Sequence, residues 1–185
     1  MPTLHFIRHG ETDWNADGRV QGNADVPLSE RGREQAEELA TRLAGWPIGA
    51  VYSSDLQRAL DTARPLADRL GLEPVVDPIL RERNFGAFEG LLDSEVEARL
   101  DDSATFWRDP DTRPDDGESR REVWNRVVGF LDALLENPPA DEIAIVSHGG
   151  PIRLAAAYLA QEDVESMTWR AVANVSVTTV ESGVD

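Results

Sequence analysis

Residues 142–151 read Glu-Ile-Ala-Ile-Val-Ser-His-Gly-Gly-Pro. Ile143, Ala144, Ile145 and Val146 follow one another with no polar residue between them. A short unbroken apolar run of this kind describes a strand covered on both faces, as a central strand of a parallel sheet is. The strand ends at Ser147-His148, two glycines follow, and Pro151 suits the first position of a helix, where a missing N–H leaves no bond unmade.

Outward from this stretch, the same alternation recurs. Residues 3–7 form a β-rich run ending at Arg8-His9-Gly10, and a loop rich in Asn, Asp and Gly is expected over 12–26. Ser29 is placed to cap a helix with the stripe Ala36, Leu39, Ala40 and Leu43, stopped by Gly45. Residues 48–52 read as a strand running into Ser53-Ser54. Asp55 is expected to cap a second helix with the stripe Leu56, Ala59, Leu60, Ala63, Ala67 and Leu70, closed by Gly71; Pro65 predicts a kink or break near Arg64. Residues 74–77 form a short further strand. From 80 to 117 the periodicity fades while Phe85, Phe88, Phe106 and Trp107 accumulate, which reads as a lid of short helical pieces and loops. Ser119 and Glu122 have capping-box spacing ahead of Val123, Val127, Phe130, Leu131 and Leu134. Pro138-Pro139 breaks the chain, and Val175, Val177 and Thr179 alternate in a last strand. The alternation predicts an α/β fold: a three-layer α/β/α arrangement with a mostly parallel central sheet, helices on both faces and a small lid insertion over about 83–118. All 185 residues fit one domain.

Composition narrows the function. The formal net charge is −17, from 35 acidic and 18 basic residues, and every basic residue is Arg. Nucleic-acid binding by counterion release needs a basic face, so this balance argues against nucleic acid and against an anionic membrane surface. No apolar run reaches membrane-spanning length and the start lacks a signal-peptide pattern, so a cytoplasmic address is expected. With no cysteine, disulfides, thiolate nucleophiles and cysteine-ligated zinc are excluded. Three histidines, one of them (His5) within a strand, make a histidine metal site improbable, and no metal or other cofactor is expected.

Three strands end at Arg8-His9, at Ser53-Ser54 just ahead of Arg58, and at His148. Open α/β sheets bind ligands beyond the carboxyl ends of their strands, so these residues are expected to converge there. Two arginines able to give planar bidentate contacts, with two imidazoles, suit a phosphoryl group. His9 is the candidate nucleophile, with its other ring nitrogen needing a backbone acceptor to set the tautomer. His148 would donate to the phosphoryl oxygens, and Gly149 and Gly150 would leave backbone N–H groups open to an anion. Glu82, at the lid, is the candidate to protonate the leaving oxygen and then activate water. His5 is taken as structural.

Together these segments resemble the histidine phosphatase superfamily, also called phosphoglycerate mutase-like. Arg8-His9-Gly10-Glu11-Thr12 resembles its signature, with Asn15, Gly18-Arg19, Gln21-Gly22 and Asp25 following; Ser53 to Ala59, the Glu82 segment and Ser147 to Gly150 resemble its remaining motifs in order. The resemblance implies that His9 is phosphorylated, that Arg8, Asn15, Arg58 and His148 hold the phosphate, and that Gln21 and Gly22 line the substrate entrance. Asp116-Gly117-Glu118-Ser119 resembles a turn of the phosphatase branch, which implies a hydrolase of the histidine acid phosphatase type acting on a small phosphorylated metabolite, as a monomer or homodimer. Two alternatives stay open. Arg120-Arg121 could serve a phosphoglycerate mutase primed by a bisphosphate, and the pocket could belong to a non-catalytic phosphate-binding module.

Overall fold

Successive side chains of a strand point to opposite faces, and the computed structural model, which describes residues 1–181, sorts the apolar run of 142–147 in that way. Strand β1 spans Thr3–Arg8, β2 Ala50–Ser53, β3 Val75–Val76, β4 Glu142–Ser147 and β5 Val177–Glu181. They form one sheet in the order β3-β2-β4-β1-β5. β4 is central and parallel to both neighbours, while β5 runs antiparallel along the outer side of β1. The helices are α1 (Asp13–Ala16), α2 (Glu30–Leu43), α3 (Gln57–Leu70), α4 (Asp93–Arg99), α5 (Ser103–Arg108), α6 (Arg120–Glu136) and α7 (Gly149–Leu159).

Two cores result, one on each face. Leu4, Phe6, Ile143 and Ile145 pack with Val123, Val127 and Leu131 of α6 and Ile152 of α7. Ile7, Val51, Ala144 and Val146 pack with Leu39 and Leu43 of α2 and Ala63 and Leu66 of α3. The three-layer expectation therefore holds, with each fully buried leucine contributing roughly 1.5–3 kcal/mol. Ser29 caps α2 by accepting the Gly32 N–H at 3.0 Å. Ser119 and Glu122 form the reciprocal box at the start of α6, and its expected stripe is buried. His5 is structural: Nδ1 meets Thr179 Oγ1 at 3.0 Å and Nε2 meets Glu142 at 2.9 Å.

Several local expectations are corrected. The segment 12–26 is not all loop, because Thr12 Oγ1 accepts the Asn15 N–H at 3.1 Å and starts the single turn of α1. Asp55 does not cap α3. Its carboxylate is held by Arg81 at 2.6 and 2.8 Å, and Asp25 Oδ1 takes the Gln57 N–H at 2.7 Å in its place. Along α3 the buried positions include Arg58, Thr62 and Leu66 rather than Leu60 and Leu70, since polar residues with tertiary partners share the inward face. Pro65 does not end the helix, which runs on to Leu70 while Ala63, Leu66 and Ala67 pack on either side of it. Gly71 closes the helix at φ +67°, as expected of a left-handed cap. Pro151 is the third residue of α7, still within the turn where a missing N–H is harmless. Val175 lies outside β5, at φ +50°, with its N–H donated to the Arg8 carbonyl at 3.0 Å. No helix among the described residues is long and apolar enough to cross a membrane.

Candidate active site

The register that pairs Arg8 with Ser147 sets His9 and His148 side by side at the ends of β1 and β4. Their ring centroids are 5.1 Å apart and the planes are tilted by 57°. Both rings are buried, His148 completely. His9 Nδ1 donates to the Gly10 carbonyl at 2.7 Å, which leaves the lone pair of Nε2 for chemistry. Burial, followed by the charges of Arg58 and Arg8, holds the His9 pKa well below the ordinary histidine value. Burial, then Arg58 and His9, do the same to His148. Both imidazoles are therefore neutral at pH 7. The loop after His9 is clamped: Gly10 N–H donates to Thr62 Oγ1 at 2.9 Å, and Gly32 lies so close to the Glu11 carbonyl that no Cβ fits between them.

Arg58 is fully buried, with Nη1 donating to Ala24 O at 2.8 Å and Nη2 to Gly22 O at 2.7 Å. Gly22 holds φ +54°, and a Cβ there would collide with Glu89, so glycine is required to aim this carbonyl. Burial lowers the Arg58 pKa to about 10, with Glu82, Asp25 and Glu89 opposing, so the charge is retained at neutral pH. Arg8 Nη1 donates to Val172 O at 2.6 Å. Arg8 Nε, Arg58 Nε and both ring nitrogens of His148 are buried with no hydrogen-bond partner among the described residues. Leaving a buried donor unmatched costs on the order of 1–3 kcal/mol. A tetrahedral oxyanion beside His9 Nε2 could accept from the two arginine Nε–H groups and from the single N–H of neutral His148.

Glu82 stands at the edge of that nest. Its Oε2 accepts the Gly150 N–H at 3.1 Å and its Oε1 the Arg83 N–H at 2.8 Å. The Gly150 amide is thus turned to a carboxylate of the protein rather than left open to an anion. Gly149 lies in the first turn of α7, where an added Cβ would stand 3.1 Å from Arg153 Nη1. Asn15 Oδ1 is shared between Thr12 N–H at 3.2 Å and Asn174 Nδ2 at 3.3 Å. Gln21 is buried and accepts the Thr12 hydroxyl at 3.0 Å. Neither Gln21 nor Gly22 lines the large cavity described next.

A cavity of about 700 Å³ opens beside Glu82 and Gly150, walled by Trp107, Arg120, Arg153 and Trp169 among others. The imidazoles are not on its wall. Glu82 therefore separates two compartments, the buried donor nest and the wide cavity. Sequence reasoning missed three residues here. Asn174 donates to the His9 carbonyl, Arg126 donates to the Glu82 carbonyl at 3.0 Å while pairing with Glu118, and Arg153 stacks on Trp169. None of them follows a spacing pattern, because each acts across a long stretch of chain. Among the described residues no group of three or more His, Cys, Asp or Glu could hold a metal ion.

Residues 4–184 match the sequence model of the histidine phosphatase superfamily (branch 1). The chain is 39% identical over 156 residues to a protein of Cronobacter sakazakii named "Probable phosphoglycerate mutase GpmB", a match covering 80% of this chain and 70% of that one. Among solved structures it is similar to a mycobacterial glucosyl-3-phosphoglycerate phosphatase complexed with VO3, at 35% identity and a TM-score of 0.89, covering 98% of this chain and 93% of the other. It is also similar to a phosphoserine phosphatase of Entamoeba histolytica in complex with 3-phosphoglyceric acid, at 30% identity and a TM-score of 0.85, covering 97% and 90%.

Proposed function

The chain belongs to the histidine phosphatase superfamily (branch 1), and from that premise we propose that it hydrolyses small phosphomonoesters through a phosphohistidine at His9, without a metal ion or other cofactor. One observation carries the reading: the Nδ1 bond to Gly10 leaves a neutral Nε2 beside three buried N–H donors, those of Arg8 Nε, Arg58 Nε and the one protonated ring nitrogen of His148, which have no partner among the described residues.

In this reaction Nε2 attacks phosphorus in line and the P–O bond to the leaving group breaks. Arg8, Arg58 and His148 hold the equatorial oxygens, with Asn15 adding an amide donor. Glu82, at the boundary between nest and cavity, gives its proton to the departing alkoxide. Water then attacks the phosphohistidine while the Glu82 carboxylate takes a proton from it, releasing phosphate and restoring His9. The similarity to two phosphatase structures, each covering nearly the whole chain, supports water as the acceptor.

A second reading, a bisphosphate-primed phosphoglycerate mutase, is favoured by the name of the Cronobacter relative and by Arg120 on the cavity wall. Paired assays separate the two. The expected outcome is phosphate release from 3-phosphoglycerate or a neutral alkyl phosphate without primer. Primer-dependent interconversion of phosphoglycerates with negligible phosphate release would replace the hydrolase with the mutase.

A further inference from the structure

Three acids act on the buried charge of Arg58. Glu82 stands at the boundary of the nest, and Asp25 takes the Gln57 N–H at the start of α3. The third, Glu89, is partly buried and has no place in the bond-breaking itself. One of its oxygens, Oε1, accepts two backbone N–H groups, from Asn23 at 2.7 Å and from Phe85 at 3.1 Å. Asn23 sits between Gly22 and Ala24, and the carbonyls of those two residues hold the terminal nitrogens of Arg58 at 2.7 and 2.8 Å.

A guanidinium gripped at both terminal nitrogens has its plane fixed, which leaves Nε as the unmatched donor of the fork. Both gripping carbonyls lie one residue from Asn23, so the bond from its amide to Glu89 sets where they point. The carboxylate also occupies the space that a Cβ on residue 22 would take, so Gly22 and Glu89 fit as a pair. Glu82 depends on Glu89 far less, since the Gly150 and Arg83 amides hold its carboxylate and Arg126 its carbonyl. The two segments also pair without the side chain: Gly90 N–H meets Val20 O at 2.8 Å and Val20 N–H meets Leu91 O at 2.9 Å. We propose that Glu89 is a positioning residue for Arg58, fixing through the Asn23 amide the two carbonyls that orient the guanidinium against the phosphoryl oxygens. The inference rests on the phosphatase reading of the site and separates two kinds of carboxylate in it. Glu82 moves a proton, whereas Glu89 holds a cation in register.

The test measures kcat/KM for p-nitrophenyl phosphate and glycerol 3-phosphate, together with the dissociation constant of inorganic phosphate by calorimetry. Glu89→Ala is expected to lower kcat/KM about tenfold, by the same factor on both esters, and to weaken phosphate binding to a similar degree. Glu89→Gln, which keeps an amide oxygen for the same two N–H groups, is expected to stay within about threefold of the wild type. In an Arg58→Lys background, where a single ammonium replaces the two-nitrogen fork, the cost of Glu89→Ala should shrink to about twofold or less. If Glu89→Ala does not fold, Glu89→Asp, one methylene shorter, carries the same expectations. The inference is overturned if the loss is absent, if it falls mainly on the alkyl ester, if Glu89→Gln does as badly as Glu89→Ala, or if the loss is undiminished beside Arg58→Lys. Phosphate release from neither ester by the wild type, with the dissociation constants still following this pattern, would instead sink the phosphatase reading and leave Glu89 in its role.

Discussion

Asn174 donates its side-chain N–H to the His9 carbonyl oxygen at 2.9 Å, joining residues 165 positions apart. The same nitrogen lies 3.3 Å from Asn15 Oδ1, so one carboxamide ties the end of β1 to the first turn of α1. Removing it leaves a buried carbonyl unpaired and frees the backbone that carries His9. Asn174→Ala is expected to lower kcat by about tenfold and stability by about 1–2 kcal/mol, read from steady-state rates and denaturant melts. A destabilised variant with wild-type kcat would restrict Asn174 to a structural role.

His9→Ala should lower phosphate release by at least about a thousandfold, because no neighbouring group can take over as nucleophile. Acid quenching during turnover should trap an acid-labile phosphoprotein in the wild type alone. Dialysis against EDTA should leave the rate unchanged. Full activity in His9→Ala would refute the covalent route.

For Glu82→Gln the diagnostic is the leaving group. An alkyl phosphate needs its oxygen protonated and should slow by roughly 10²–10⁴-fold, the usual range for a general acid. p-Nitrophenyl phosphate, whose phenolate leaves unaided, should slow far less. Equal losses on the two would mean that the carboxylate is not the acid for bond cleavage.

Arg126 acts one step back. Its guanidinium binds the carbonyls of Ile79 and Glu82 and the carboxylate of Glu118. Arg126→Met should show the same dependence on leaving group as Glu82→Gln, at about a tenth of the size, with partial rescue in Arg126→Lys. If kcat falls equally on both esters, Arg126 supports the fold without positioning Glu82.

The buried imidazoles give stability a definite pH dependence. Because His9 and His148 have folded-state pKa values well below 6.5, the unfolded chain binds more protons than the native one once pH falls through that value. Stability is therefore complete above about pH 6.5 and declines below it, by at most about 1.4 kcal/mol per pH unit for each ring. Inorganic phosphate should reduce the decline, since an anion between the rings favours their protonation. Melting curves from pH 7.5 to 5.5 test this, and His148→Gln should flatten the slope.

Much of this was readable in the chain. The stripes of α2 and α6, with Ser29 and Ser119 ahead of them, stand out because periodicity and capping are local. His9, Arg58 and His148 could be brought together because each follows a strand whose end is fixed by sheet topology. Asp55 and Val175 misled the reading for the opposite reason. Asp55 is claimed by Arg81 and Val175 by the Arg8 carbonyl, and such partners leave no mark on neighbouring residues. The cavity wall is the least legible part, since Trp107, Arg153 and Trp169 come from three separate segments and meet only in three dimensions.

The ladder between β1 and β4 has one last implication. Adjacent strands lie about 4.8 Å apart by the geometry of peptide hydrogen bonding, and the two imidazoles that continue those strands are 5.1 Å apart. The chemical gap is thus inherited from the polymer itself, while the surfaces that would recognise the rest of a substrate are built from side chains outside the sheet. A change confined to those outer surfaces therefore leaves the spacing of the two rings as the sheet sets it.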